Sequence, residues 1–187
     1  MPIAKTKMRT CGDCGREYQF SIAESYRYSE SGLDNVYLRN IETMTCDCGT
    51  AVVFRALPTL LRVIAICFAY KPALLRGPEI RFLRSVLGRS SKDFAGVLSL
   101  SAEHFSRVEN EKDPVSAPID KIVRCRIVLD LLEIDGFHQL FDLRKFREIL
   151  DQKLPASDDG LALYLTYAGP YLGVRDERIE FEFKDAA

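Results

Sequence analysis

The chain has 187 residues, 47% of them hydrophobic and 28% charged, with a formal net charge of −1. This composition excludes a disordered chain, and the length suits one good domain or two small ones. The longest apolar run, Leu60 to Tyr70, carries Arg62, is bracketed by Pro58 and Pro72, and falls short of the roughly 20 residues that a bilayer span requires.

That run reads as a buried helix. The N-terminal stretch has basic residues but no apolar segment behind them, so no secretory signal is expected and the chain reads as cytoplasmic. The modest net charge conceals a split. Residues 1–75 sum to +2, residues 76–126 to +3, and residues 127–187, with 7 basic and 13 acidic side chains, to −6. Such asymmetry suggests different partners for different segments, and chance patterning of solvated faces stands beside that reading.

In chain order, residues 17–29 and 35–45 are rich in aromatic and β-branched residues and read as strands. Gly32 and Asp34-Asn35 between them supply a hairpin-like connection. From Pro58 the pattern turns helical, with Leu61, Ile64, Ala65 and Phe68 on one stripe. Lys71-Pro72 ends this helix, and Pro72 to Gly77 reads as a linker. Short helices follow to about Glu133. After Asp135-Gly136, Phe141, Phe146, Ile149 and Leu150 mark another helix. The segments 161–169 and 178–184 read as two strands, separated by Gly169-Pro170 and the Gly173 region, that pair into a small sheet on the preceding helix.

Six cysteines in a reducing compartment point to metal ligands or buried thiols rather than disulfides. Cys67 and Cys125 lie inside apolar helical patterns and read as core. Cys11-Gly-Asp-Cys14-Gly and Cys46-Asp-Cys48-Gly form two close pairs about a strand-rich segment. A Cys-x-x-Cys turn followed by Gly lets two thiolates converge on one ion, and two such turns would close a tetrahedral structural Zn2+ site. The Cys-x-Cys pair is one residue short of the usual spacing. A redox pair and unliganded thiols remain as alternatives.

The middle of the chain carries a second pattern. Ile80, Leu83 and Val86 or Leu87 form the inner face of a helix over about 79–87. Ser90, with Asp93 three residues later, caps a second helix that contains Phe94, Val97 and Leu98, while Ala95 sits where two helices approach closely. Ser99-Leu100 makes a turn and Ser101 caps a third helix. Phe105 and Val108 are the only large apolar residues of that helix, which leaves Ala102, Glu103, His104, Ser106 and Arg107 outside. Two anchors and a polar outer face are the economy of a helix that reads DNA.

The positions Leu87, Gly88, Ser90, Phe94, Ala95, Leu98, Leu100, Ser101, Phe105, Ser106, Arg107, Val108, Glu109 and Asn110 resemble the Xre/phage-repressor helix-turn-helix family over about 35 residues. Together with the cysteine pairs, the chain resembles the MqsA-type antitoxins, which join a YgiT-type zinc finger to such a helix-turn-helix. Ser99 stands where the family has a turn glycine and is forced toward positive φ; Glu111 replaces a glycine often found after the third helix; Gly96 weakens the second helix. The resemblance implies an α+β chain in consecutive units. These are a small β-rich zinc-binding domain (1–57), a helix and linker (58–76), an all-α, phage-repressor-like helix-turn-helix domain (77–134) and a small acidic α/β C-terminal extension (135–187).

The expected function is that of a sequence-specific DNA-binding regulator, a repressor of its own operon with a cognate toxin as protein partner. A stand-alone regulator without a toxin is the alternative. Base reading falls to Arg107, Glu103 and His104, with Ala102 on the same face, and phosphate contact to Ser91, Lys92, Ser106 and Lys112. His104 has the equal alternative of packing or capping. A middle-segment charge of +3 is small for a DNA binder, so a homodimer on two half-sites is expected. Ile119, Ile122, Val123, Ile127 and Leu131, with Val128, Leu129 and Leu132 beside them, supply either the dimer contact or packing on the first helix of the middle region. His104 and His138 are the only histidines, and no nucleophile constellation or phosphate loop appears, so no enzyme is expected.

Overall fold

Two stretches that each read as one strand are broken in the structure, and the breaks set the topology. In the computed structural model, which describes residues 10–52, 57–134, 141–156, 160–168 and 178–185, the first stretch divides into β1 (Gln19–Ala23) and β2 (Tyr26–Arg27). The second divides into β3 (Val36–Arg39) and β4 (Ile41–Cys46) at Asn40, whose φ is 53°. Asparagine tolerates this left-handed conformation better than most residues, and here it turns the chain out of one sheet and into another.

β1 and β4 join β5 (Gly49–Val52) in an antiparallel sheet of order β1-β4-β5. β2 and β3 belong to a four-stranded sheet of order β2-β3-β6-β7, in which β3 runs parallel to β6 (Leu161–Ala168) and β6 antiparallel to β7 (Arg178–Asp185). The register places Val36 opposite Leu163 and Leu38 opposite Leu165, and all four side chains are buried. By alternation Tyr37 and Tyr164 fall on the other face. There their rings stack with centroids 4.9 Å apart, and the Arg39 guanidinium lies 4.2 Å from the Tyr164 centroid.

The buried face receives α1 (Leu57–Ala69). From Val63 to Ala69 every residue of this helix is buried, as expected of a helix apolar on all sides. Phe68 meets Phe183 at 5.9 Å between centroids, and Tyr70, just beyond the helix, meets Phe181 at 6.0 Å. Against the other flank of α1 lie α2 (Gly77–Val86) and α5 (Ala117–Leu132), with α3 (Ser91–Val97) and α4 (Ala102–Glu109) beyond α2. The last helix, α6 (Leu143–Asp151), is capped by the Asp142 carboxylate, which accepts from the amides of Arg144 and Lys145, and it buries Phe146 against Tyr70.

One apolar cluster joins both sheets to α1–α5, from Tyr28 and Val36 through Ile64, Leu83, Phe94, Phe105 and Ile127 to Leu163 and Leu165, and a small second one seats Phe146 of α6 on Ala69 and Val128. The expected α+β architecture of an N-terminal zinc domain followed by an all-α helix-turn-helix middle domain and a separate C-terminal α/β extension is therefore not the one observed. Residues 19–52 are mostly strands, six helices follow among the described residues, and the second sheet takes strands from both ends of the chain. The physical reason is that β2 and β3 bury their apolar face only by sharing it with β6, β7 and α1.

The expected linker at 72–77 is likewise a clamped strap. Ala73, Leu75 and Gly77 are buried, and the fully buried Arg124 of α5 donates to the carbonyls of Ala69, Lys71 and Ala73 at 3.1, 2.8 and 2.6 Å. Asp120 accepts from Arg124 at 2.7 Å and from the Leu75 amide at 2.7 Å. The guanidinium thus caps the carbonyl end of α1 while its partner carboxylate holds the strap that follows.

No helix among the described residues is long and apolar enough to cross a membrane. Asp135-Gly136, His138, Gly169-Pro170 and the Gly173 region lie outside the described residues.

Candidate functional site

The first candidate site is built by two turns. At Cys11 the backbone closes a knuckle, with the Cys11 amide donating to the Arg16 carbonyl at 2.8 Å and the Gly15 amide donating to the Cys11 carbonyl at 3.0 Å. Gly15 adopts φ 70°, a conformation that glycine takes at no steric cost. The second turn answers the question raised by the short Cys-x-Cys spacing. Cys46 and Gly49 are paired across the β4-β5 hairpin, so Asp47 and Cys48 are its two-residue loop. Cys46 projects from the strand end and Cys48 from the turn, and the hairpin does the work of the usual knuckle. Arg16 and Asp47 form an ion pair between the two turns.

The four sulfurs of Cys11, Cys14, Cys46 and Cys48 lie within 4.8 Å of one another, close enough to hold one metal ion and compatible with zinc. A tetrahedral Zn–S distance of about 2.3 Å requires sulfurs roughly 3.8 Å apart, and the Cys11 and Cys46 sulfurs stand at 3.5 Å. The local field already favours a thiolate. The Cys11 thiol is brought down to about 6, first by the Cys14 amide, then by the Tyr18 hydroxyl and the Asp13 amide. Tyr18 is in turn pushed up to about 12, chiefly by that hydrogen bond to Cys11. Cys48 is pushed up to about 12, first by its hydrogen bond with Cys14. The Cys11 hydrogen bond adds to that rise at Cys48, and a divalent cation reverses it. Tyr18, Arg16 and Asp47 carried no signal in the sequence, because nothing but the folded turns brings them to the cysteines. Cys67 is buried in the core, as expected, and burial pushes its thiol up; Cys125 is half-buried.

The second candidate site is the pair α3 and α4. Ser90 caps α3 by accepting from the Asp93 amide at 3.1 Å, and Ser101 caps α4 by accepting from the His104 amide at 3.1 Å. Phe94 and Phe105, both fully buried, hold the helices together with ring centroids 5.7 Å apart. Ala95 is buried and its carbonyl accepts from the Leu100 amide at 2.9 Å, which closes the turn. Ser99 has φ 56°, the strain expected where glycine is missing, and Glu111 repeats it with φ 56° after α4. Of the apolar residues of this helix region, Phe94 and Leu98 are buried and Val97 is exposed.

On α4 only Phe105, Val108 and Glu109 are buried, so Ala102, Glu103, His104, Ser106 and Arg107 share an exposed face and Lys112 stands exposed just beyond it. Lys92 is exposed at the start of α3. Ser91 beside it is already engaged, because its hydroxyl donates to Glu109 at 3.1 Å. Glu109 also accepts from Arg84 at 2.7 Å, so this buried carboxylate ties α2, α3 and α4 together. Arg107 is engaged as well, donating from Nε and Nη2 to the two oxygens of Asp113 at 2.8 and 2.7 Å. Glu109 and Asp113 were not identified from sequence as partners. Asp113 comes within reach of Arg107 only because Glu111 turns left-handed, and that turn is legible only once a glycine position is recognised there.

No protein-family profile matches the chain, nor does any curated protein or any solved structure.

Proposed function

We propose that the protein is a DNA-binding regulator whose α4 enters the major groove, and that Cys11, Cys14, Cys46 and Cys48 hold a structural Zn2+. The observation that carries the reading is α4 itself: a capped helix anchored by Phe105 and Val108, with its remaining apolar economy spent and five consecutive-face positions open to solvent. Arg107, His104 and Glu103 then meet base edges, while Lys92, Ser106 and Lys112 meet phosphates. Ser91 contributes through Glu109, by fixing α3 on α4, more than through phosphate. Four thiolates leave no open position on a tetrahedral ion, so the metal braces the β1-β4-β5 sheet and does no chemistry.

The likeness to MqsA-type antitoxins extends this proposal to repression of the protein's own operon and to neutralisation of a small toxin. A homodimer belongs to the same proposal, since Ile122 and Leu129 of α5 remain exposed at 44% and 57% while Ile119, Val123, Ile127 and Leu131 are buried. Fluorescence anisotropy with duplex DNA from upstream of the gene, run with and without a zinc chelator and over a salt series, tests the reading. Binding that is specific for that duplex supports it. Equal, weak binding to every duplex at all salt concentrations would refute it. Copurification with the product of an adjoining reading frame tests the toxin.

A further inference from the structure

The Arg107–Asp113 pair has a geometry that bears on what α4 reads. A guanidinium offers five N–H groups in a plane, arranged as a side edge, formed by Nε and one hydrogen of Nη2, and an end edge, formed by Nη1 and the other hydrogen of Nη2. Asp113 occupies the side edge with both oxygens, at 2.8 and 2.7 Å. Among the described residues no partner is recorded for Nη1, and the Arg107 side chain keeps 50% of its exposure. The end edge is therefore free. Its two parallel N–H groups match the O6 and N7 acceptors of guanine in the major groove.

The carboxylate is itself held in place. Glu111 turns left-handed, the Lys112 amide donates to the Arg107 carbonyl at 2.8 Å, and the Asp113 amide donates to the same oxygen at 3.3 Å. The turn that ends α4 thus folds Asp113 back onto the side chain it pairs with. A long arginine side chain loses much rotamer freedom when it binds a base, and a pair formed beforehand removes part of that cost. The pair also carries no net charge, which limits the repulsion a bare carboxylate would suffer near phosphates.

Resting on the reading that α4 enters the major groove, we infer that Asp113 is a positioning residue, which holds Arg107 with its end edge outward to select guanine at one position of the site. The competing role is a latch: a carboxylate that occupies the arginine and must let go before DNA binds. The two roles predict opposite changes on removal of Asp113.

The test uses the full-length, zinc-loaded protein and a pool of duplexes with a randomised core. Selected duplexes are re-measured with each guanine replaced in turn by 7-deazaguanine, which deletes the N7 acceptor and leaves O6. With wild-type protein, one replacement costs on the order of tenfold in affinity. In Arg107→Ala this penalty disappears. In Asp113→Ala it shrinks at the same position, while affinity for unselected duplex does not fall, because the variant removes a negative charge from the face that meets the phosphates. Asp113→Asn, which keeps one acceptor, retains part of the penalty. Metal content and melting temperature confirm that each variant is folded. Tighter binding by Asp113→Ala to all duplexes with the penalty intact would establish the latch and overturn the inference, and so would a penalty that Asp113→Ala leaves unchanged. Failure of wild-type protein to bind any duplex would instead remove the underlying reading of α4, and this inference with it.

Discussion

Lys71 and Glu79 form a sealed ion pair: the ammonium stands 2.8 and 2.9 Å from the two carboxylate oxygens, with side-chain exposures of 0% and 1%. The same carboxylate accepts from the Asn35 side-chain amide at 2.8 Å and from the Arg76 backbone amide at 2.8 Å, so it joins the residue before β3, the strap and the first turn of α2. Burial pushes the Lys71 ammonium below its ordinary value, and Glu79 opposes that shift. Removing Glu79 alone takes away the carboxylate that faces a buried cation, and Glu79→Ala should destabilise the protein by roughly 3–5 kcal/mol in urea denaturation. The double variant Lys71→Met/Glu79→Leu removes both charges and should recover most of that loss. A double variant as unstable as Glu79→Ala would show that Glu79 acts mainly through Asn35 and Arg76.

The pair lies on the boundary of what the sequence made legible. Several signals that rest on the chain within a few residues are legible: the caps at Ser90 and Ser101, the apolar run of α1, the anchors Phe105 and Val108, and the two cysteine pairs that the fold brings together. The architecture was misread because its decisive contact is not local. β3 pairs in parallel with β6 from the far end of the chain, and no pattern within residues 35–45 announces that partner. Proline and glycine at 72–77 mark a turn or linker but say nothing of Arg124, which fastens the strap from α5. A buried arginine in a helical pattern reads as a surface residue until its carbonyl partners, here Phe68, Ala69, Lys71 and Ala73, are known.

Ser99 and Glu111 are a direct test of backbone strain. Both hold φ 56° at the residue that ends a helix, a position that Gly88 fills after α2 with φ 65°. The left-handed conformation costs a non-glycine residue about 1–2 kcal/mol, and glycine recovers this less about 0.5–1 kcal/mol of unfolded-state entropy. Ser99→Gly should therefore raise stability by about 0.5–1 kcal/mol, read as a higher melting temperature. Ser99→Val, branched at Cβ, should lower it. Glu111→Gly should follow Ser99→Gly, less whatever its contact with Arg76 at 3.4 Å contributes.

Gly77 should be intolerant of any side chain. A Cβ there would press into the Val108 carbonyl and come within 2.9 Å of the Glu109 carbonyl, where the start of α2 meets the end of α4. These are backbone atoms and cannot swing aside. Gly77→Ala should destabilise by about 1–3 kcal/mol and shift α4 against α2, so that its amide resonances move along with the loss of stability. A neutral Gly77→Ala would show that the two helix ends separate freely.

The metal proposal predicts about one zinc per chain in protein purified without added metal. Chelation should lower the melting temperature and unfold the β1-β4-β5 sheet first, because two of the four ligands lie in the β4-β5 hairpin. Cys48→Ser should bind zinc more weakly but leave the core around α1 intact, since Cys48 is exposed and the core lies elsewhere. Less than about half a zinc per chain in carefully purified protein would refute the site.

Asp113 gives a pH signature. Its hydrogen bonds from Arg107 hold the carboxyl below the ordinary carboxylate value, with the charges of Arg107 and His104 adding to the effect. The folded value lies below the unfolded one, so the contribution is fully present above about pH 4 and is lost as pH falls through the folded value. A carboxyl NMR titration should place Asp113 below a normal aspartate, and Arg107→Ala should return it upward. An unshifted Asp113 in the wild type would mean that the pair does not form in solution.

On DNA the side chains of this face should separate by what they touch. Arg107→Ala should cost about 1–3 kcal/mol at the selected site and relax one base position, because its loss removes a contact that depends on the base. Lys112→Ala should weaken selected and unselected duplexes alike and reduce the slope of log affinity against log salt by about 1, because a phosphate contact releases a counterion whatever the sequence. Ser91→Ala belongs to neither class. Its hydroxyl donates to the buried Glu109, so the variant should lower stability and leave the salt slope unchanged. A Ser91→Ala variant of wild-type stability that binds selected and unselected duplexes alike more weakly would return Ser91 to the phosphates, and would mean that Glu109 does not depend on its hydroxyl.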